Sequence, residues 1–328
     1  MSDPSVEKLS TGEWSPERFG RHLQETGTPL VERVSADEVE VTFVDEPGDD
    51  TTVALSVVIG PRIGFNPIDT EFAPVAGPTG EGEQVPDPFN PPPRFSECSV
   101  ERFSGASVAV LPDAAPSPWL DQAEARPDPT TDSAVLASES LGNERRIWVS
   151  MPPGEFLDES ALPFAINLDG TPEHSAPSVR DALVRAGLIR PCVVVLVEQS
   201  ALRRTGWTAL HHPKTFGNAI LQSPSCGYHP DLTWGTGAAE LLHRTPVPTL
   251  IADFLAEETA PVRIFHDVGE LESSLAHSRW LDHVLTGKGY DTLYREFAGG
   301  QDYAWWRGLF ADALLWCFPL RSRDGSHA

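Results

Sequence analysis

The residue whose type and position could supply a nucleophile is a serine that follows an apolar strand. Enzymes that use a nucleophilic serine commonly place it on a tight strand–turn–helix elbow, G-x-S-x-G, whose glycines relieve crowding of the backbone. The chain contains no G-x-S-x-G, and its nearest candidate is Ser200 in Glu198-Gln199-Ser200-Ala201-Leu202. A carboxylate at Glu198 opposes formation of an anionic nucleophile. Two interpretations of Ser200 therefore stay open, a weak nucleophile and an ordinary loop serine. Ser223 and Ser225 are other candidates for the nucleophile.

The sequence gives little indication of a metal site or of a dinucleotide-binding site. His211 and His212 are adjacent, so their side chains point in different directions, and the zinc motif H-E-x-x-H is absent. The segment 235–240, GTGAAE, does not match the dinucleotide fingerprint G-x-G-x-x-G and does not follow a strand. The sequence therefore predicts neither a metal site nor a cofactor.

The elements that must position these residues alternate between strands and helices in the second half. Residues 145–154, 162–170, 192–198 and 262–269 are short apolar strands, and the run CVVVLVE is typical of a strand buried on both faces of a parallel sheet. Helical patterns follow at 178–191 and at the carboxyl end. This alternation predicts an α/β domain with helices on both faces of a mostly parallel sheet.

The first half has a different character. A short helical pattern in residues 15–27 is followed by two alternating runs, 39–46 and 51–60, which predict a hairpin. We expect a β-sandwich-like domain over residues 1–120, a proline-rich linker over 121–140 and the α/β domain over 141–328.

Composition limits the partners. The formal net charge is −24 and the pI about 4.7, so the surface repels nucleic acid and anionic membranes. Only three of the 24 cations are lysines, which together with the acid excess favours a salt-adapted organism over an ordinary acidic protein. No apolar run of about 18 residues, no signal peptide and four scattered cysteines predict a cytoplasmic protein. The sequence leaves the oligomeric state open.

Several segments resemble the enterochelin (enterobactin) esterase family of α/β-hydrolases. They occur in the family's order along nearly the whole chain: 27–32 with the following VTF, 141–149, 168–170, 216–223, 268–272 and 299–307. The resemblance implies an α/β-hydrolase-like fold with an N-terminal sandwich domain. It also implies hydrolysis of a ferric catecholate siderophore ester through an acyl-serine, with no cofactor and no metal.

The resemblance assigns residue roles in a degenerate triad. Glu272 stands at the family's acid position, and Gln301 stands where the family has its catalytic histidine. Glutamine cannot accept and release a proton near neutral pH, so it cannot serve as general base. Asp169, Trp306 and Arg307 are implied to lie near the ligand. A replacement base would have to come from other histidines, of which the candidates are His266, His277 and His283.

The spacing around Ser200 indicates a deletion. From Glu198 to Pro213 there are only 213 − 198 + 1 = 16 residues. In the family this interval holds a crossover helix, the elbow strand and most of the nucleophile helix, whereas one parallel crossover alone takes a dozen or more residues. The sequence therefore predicts that a βα segment with the nucleophile is lost and that hydrolysis is absent or weakened. The alternatives are a non-catalytic siderophore-binding or regulatory protein, and an active esterase that uses Ser200 with a relocated histidine.

Overall fold

The computed structural model describes the following residues: 5–36, 38–42, 90, 108, 110–112, 114, 116–126, 129–139, 142–156, 161–168, 170–171, 174–198, 205–229, 247–272, 274–300 and 303–320. The described residues up to Pro118 belong to one compact unit and those from Trp119 onward belong to another. None of the helices in these ranges is long and apolar enough to cross a bilayer.

The first unit contains two helices and a small antiparallel sheet. Its elements are α1 (Ser5–Ser10), α2 (Pro16–Thr26), β1 (Leu30–Arg33) and β2 (Val39–Thr42). Ser15 caps α2 as the sequence predicts, because its hydroxyl accepts a hydrogen bond from the Arg18 amide, and Gly27 ends the helix with a φ of 81°. β2 pairs with β1, whereas its predicted partner at 51–60 lies outside the described residues. Most of the predicted sandwich lies outside them too, so the sandwich stays a prediction.

The second unit alternates strands and helices. Its elements are α3 (Pro118–Glu124), β3 (Thr131–Ser138), β4 (Asn143–Ser150), β5 (Phe164–Leu168), α4 (Ala176–Arg185), β6 (Val193–Val197), α5 (Thr205–His211), β7 (Asn218–Gln222), α6 (Thr249–Ala256), β8 (Arg263–Gly269), α7 (Leu275–Gly287), β9 (Thr292–Phe297) and α8 (Tyr303–Cys317). The segment 121–140, predicted as a linker, thus contains part of α3 and the strand β3, which pairs with β4 along its whole length.

The described strands of this unit form two separate sheets. One has the order β3-β4-β6-β5, in which β6 is antiparallel to β4 and parallel to β5. The other has the order β7-β8-β9 and is wholly parallel. The run predicted as a buried strand is β6, which lies inside its sheet with Val194 and Leu196 fully buried. The mixed α/β architecture is as predicted.

A buried guanidinium connects α4 to the first of these sheets. Arg180 has no exposed surface and donates hydrogen bonds to the carbonyl oxygens of Ser150, Met151 and Cys192 at 2.8–3.0 Å. It also donates to the Ser150 hydroxyl at 2.9 Å and to Asp181 at 2.5 Å. One side chain therefore satisfies backbone groups at the ends of two strands.

Helix α8 belongs to the packing of both sheets. It contacts α4 as well as β7 and β8. Beyond its end, the Arg190 amide donates to the Phe318 carbonyl at 3.0 Å. At the start of α8, the Trp306 carbonyl accepts a hydrogen bond from the side chain of Gln222, the last residue of β7, where the candidate site lies.

Candidate active site at the ends of the parallel strands

Glu272 lies in the turn after β8 and is held by three donors. Its Oε1 accepts hydrogen bonds from the Ser223 hydroxyl at 2.5 Å and from the Gly269 amide at 2.7 Å. Its Oε2 accepts from the Ser274 hydroxyl at 2.9 Å. The side chain is 8% exposed, and burial raises the pKa of this carboxyl although the three hydrogen bonds oppose that effect. Among the described residues, the donors to Glu272 are two serines and a backbone amide, not a histidine.

Ser223 follows the last residue of β7 and has an unusual backbone. Its φ is +45°, and no other non-glycine residue in the described ranges has a positive φ. A residue held in this region costs about 1–3 kcal/mol and persists only where its surroundings fix it. Its amide donates to the Asp267 carbonyl at 2.9 Å, and its hydroxyl accepts from the Trp306 indole Nε1 at 2.9 Å. The hydroxyl is therefore engaged on both sides and, at 4% exposure, is closed to solvent.

The turn that carries Glu272 is joined to the loop before position 301. The Glu270 amide donates to the Phe297 carbonyl at 2.8 Å, and the Leu271 amide donates to the Gly299 carbonyl at 3.1 Å. A Cβ on Gly269 would lie 2.2 Å from the Gly299 carbonyl oxygen, so only glycine permits this approach. The loop after β8 and the loop after β9 are thus held together through their backbones.

Trp306 and Arg307 are engaged in internal contacts at the start of α8. The Trp306 carbonyl accepts from the Gln222 side chain at 3.4 Å, in addition to the indole bond to Ser223. Arg307 is 8% exposed, and its Nη1 lies 3.5 Å from Glu124. Trp306 therefore borders the site, whereas the contact shown for Arg307 is with Glu124.

The candidate replacement bases have other environments. His266 in β8 is fully buried against the Tyr294 ring, and burial lowers its pKa to about 4. His277 in α7 lies against Gly227 and its pKa is also lowered by burial, while His283 is exposed. The structure thus places none of these three in hydrogen-bonding contact with Ser223 or Glu272 in the described part of the chain.

Three predicted site residues, Ser200, Gln301 and Asp169, lie outside the described residues. Their roles stay predictions. Sequence reasoning missed Ser274 as a support of the acid, and it missed a second buried acid, Asp267. Asp267 has no exposed surface and lies 3.6 Å from Arg295, and burial raises its pKa to about 7. The residue types of β8 gave no sign that its carboxylate would be buried.

The two sheets of this unit meet at facing edges. Phe164, at the start of β5, contacts Phe216, just before β7, with ring centroids 6.3 Å apart. β5 and β7 nevertheless belong to different sheets within the described residues. The edge strand β5 leaves Phe164 45% and Ile166 40% exposed. No described strand lies between these two edges.

The chain between β6 and β7 is too short to supply an additional parallel strand. From residue 198 to residue 217 there are 217 − 198 + 1 = 20 residues, and α5 uses seven of them. Residues 198–204 then span at most about 25 Å when fully extended. A parallel strand of about five residues needs one pass back and one pass forward, roughly 17 Å each. The segment before α5 therefore cannot hold a complete parallel strand of ordinary length.

Comparisons with known proteins agree with these features. The family model for "Putative esterase" matches residues 207–317, which include most of α5, Ser223, the Glu272 turn and α8. The iron(III) salmochelin esterase of Escherichia coli O6:H1 is 34% identical over 107 residues, 32% of this chain. Over this part of its length the chain is similar to iron(III) siderophore esterases. The iron(III) enterobactin esterase of Dickeya dadantii extends the likeness, with 23% identity over 71% of this chain.

The family likeness extends to the fold but not to the full length of the relatives. The crystal structure of the Shigella flexneri enterobactin esterase in the presence of enterobactin superposes with a TM-score of 0.54 and 22% identity, over 70% of this chain and 68% of that chain. The matches span 25% of the salmochelin esterase and 64% of the Dickeya enterobactin esterase. Within the described residues, β5 and β7 are edge strands of separate sheets.

Proposed function

We propose that this chain is an enterochelin-esterase-family protein whose ester hydrolysis is absent or severely weakened, and that it retains a site for a ferric catecholate siderophore. The observation that carries the proposal is the interruption of the sheet between β5 and β7, together with the short chain from β6 to β7. A nucleophilic serine needs a strained elbow on a rigid strand, because its hydroxyl must be presented to the substrate and to backbone oxyanion donors.

The second departure is Gln301 at the family's base position. Triad members act as a unit, so loss of either the nucleophile or the base removes most of the rate enhancement. Glu272 keeps its position and its hydrogen bonds, but an orienting acid without a base does not activate a serine. The two departures are independent, and both support the same proposal.

The remaining surroundings of the site support binding of a small ligand. Trp305 lies against Gly299 and Trp306 is bonded to Ser223, and Arg307 follows them in α8. Aromatic faces and guanidinium groups are suited to catecholate rings. The Shigella enzyme was crystallised in the presence of enterobactin, which makes an iron-bound catecholate ester the first ligand to test. The described cysteines, Cys192, Cys226 and Cys317, are free and buried, and we propose a cytoplasmic location.

The test is a pair of assays on the whole chain in molar KCl. We expect no hydrolysis of p-nitrophenyl esters or of a catecholate trilactone above a heat-killed control. We expect the ferric trilactone to quench tryptophan fluorescence saturably, while iron-free ester gives the comparison for iron dependence. Clear hydrolysis that Ser200→Ala abolishes would instead establish an active esterase with a rearranged nucleophile. Absence of both turnover and binding would refute the retained siderophore site.

Ser225→Ala is the control for a serine substitution that disturbs folding rather than the site. Ser225 is exposed, so Ser225→Ala should leave fold and binding unchanged. If turnover exists but only Ser223→Ala removes it, the nucleophile would be the buried serine beside Glu272. That outcome would also overturn the proposed loss of activity.

A further inference from the structure

The hydroxyl of Ser223 joins two parts of the site that are distant in sequence. It donates to Glu272, 49 residues away, and accepts from the Trp306 indole, 83 residues away. The three groups form a continuous series of hydrogen bonds in the order Trp306 Nε1–H, Ser223 Oγ–H and Glu272 Oε1. Because Ser223 is buried, water does not compete for these bonds.

The backbone at Ser223 fits a role in positioning. Its positive φ turns the chain out of β7 directly beside the acid, while its amide stays bonded to the Asp267 carbonyl of β8. The neighbouring Gln222 side chain donates to the Trp306 carbonyl at 3.4 Å. Two successive residues at the end of β7 therefore hold the first turn of α8, one through the indole and one through the backbone.

We propose that Ser223 is a positioning residue that couples the state of the Glu272 carboxyl to Trp306 and so to the first turn of α8. When the carboxyl is ionised, the hydroxyl proton of Ser223 points to Oε1 and its lone pairs are available to the indole N–H. When the carboxyl is protonated, that strong acceptor is lost and the hydroxyl can reorient, which weakens its bond to Trp306. The inference rests on the proposed function only in taking Glu272 as the retained family acid.

Other titratable groups near Glu272 define the controls. The buried Asp267 of β8 and the thiol of Cys226, after β7, both interact electrostatically with Glu272. Burial raises the pKa of the Cys226 thiol to about 12, so it does not titrate in the relevant range. Asp267 does titrate near neutrality, with its pKa at about 7, and must be separated from Glu272 by substitution.

The experiment follows the indole N–H signals of protein labelled with 15N-tryptophan. The chain has nine tryptophans, and Trp306→Phe identifies the signal of interest by its loss. In the parent we expect this signal to move with pH in one step whose midpoint is above the ordinary pKa of a glutamate, because burial raises the pKa of Glu272. We expect Glu272→Gln, which keeps the shape of the side chain, to remove the step.

Ser223→Gly provides the decisive comparison. Glycine accepts the positive φ, so this change removes the hydroxyl without adding backbone strain. We expect it to remove the pH step from the Trp306 signal, whereas Ser225→Gly, two residues away and exposed, should keep it. The proposal is overturned if the pH step persists in Ser223→Gly, or if the parent signal does not move with pH. It is also overturned if the step survives in Glu272→Gln and disappears in Asp267→Asn. Because the readout is not ester turnover, these outcomes are independent of the hydrolysis assay, and Glu272→Gln alone still decides the question if Ser223→Gly does not fold.

Discussion

Replacing Arg180 with methionine should strongly destabilise the second unit. The guanidinium is fully buried and donates to three carbonyl oxygens, to the Ser150 hydroxyl and to Asp181. Methionine fills similar space but donates no hydrogen bond, so these acceptors lose their partner. Removal of one member of a buried charged network typically costs about 3–5 kcal/mol, because the remaining polar groups stay buried and unsatisfied.

The loss of unfolding free energy in Arg180→Met should be visible as a lower melting temperature. For a unit of about 200 residues, each kcal/mol shifts the melting temperature by about 2–4 °C. A loss of about 4 kcal/mol therefore lowers the melting temperature by about 8–16 °C. The assay is thermal unfolding followed by far-ultraviolet circular dichroism in molar KCl, supported by urea unfolding at 25 °C to compare free energies.

Arg185→Met is the matched control on the same helix. Arg185 pairs with Glu155, but both side chains are largely exposed, at 37% and 54%. Exposed ion pairs contribute little because solvent screens them, and we expect this variant to melt close to the parent. Equal melting temperatures for Arg180→Met and Arg185→Met would refute the role assigned to the buried guanidinium.

Two further predictions concern pH and salt. Asp267 binds a proton in the folded state up to about pH 7, whereas an unfolded aspartate releases it near pH 3.8. The free energy of unfolding of the parent should therefore fall as pH rises between these values, by up to roughly 4 kcal/mol. Asp267→Asn should remove that loss; urea unfolding at pH 5 and pH 8 checks this, and an unchanged pH dependence would contradict it. The net charge of −24 predicts a higher melting temperature in molar KCl than in 0.1 M buffer, because salt screens the repulsion and strengthens apolar burial. An equal or lower melting temperature in molar KCl would remove the basis for a salt-adapted organism.

The local pattern of the sequence determined the class of the second unit. The β-branched run forms β6 and the apolar run forms β8, although in β6 only alternate residues are fully buried. Helix α2 begins after Ser15 and ends before Gly27, as the sequence predicts. The shortage of chain between β6 and β7 could also be read from the sequence, since chain length limits what can be crossed. The family resemblance pointed to Glu272 as the acid and to Gln301 at the base position, and both roles stay predictions.

Only the tertiary structure decided which groups surround the acid. Ser223 and Glu272 meet because β7 and β8 are neighbouring parallel strands whose carboxyl ends share one edge of the sheet, and Trp306 joins them because α8 packs across that edge. The positive φ of Ser223 and the burial of Asp267 have no local sequence signal: Ser223 lies just beyond β7, and a charged residue type does not by itself predict burial. Periodicity specifies which face of an element is buried, but hydrogen-bond partners depend on strand order and register, which are fixed only when the elements pack.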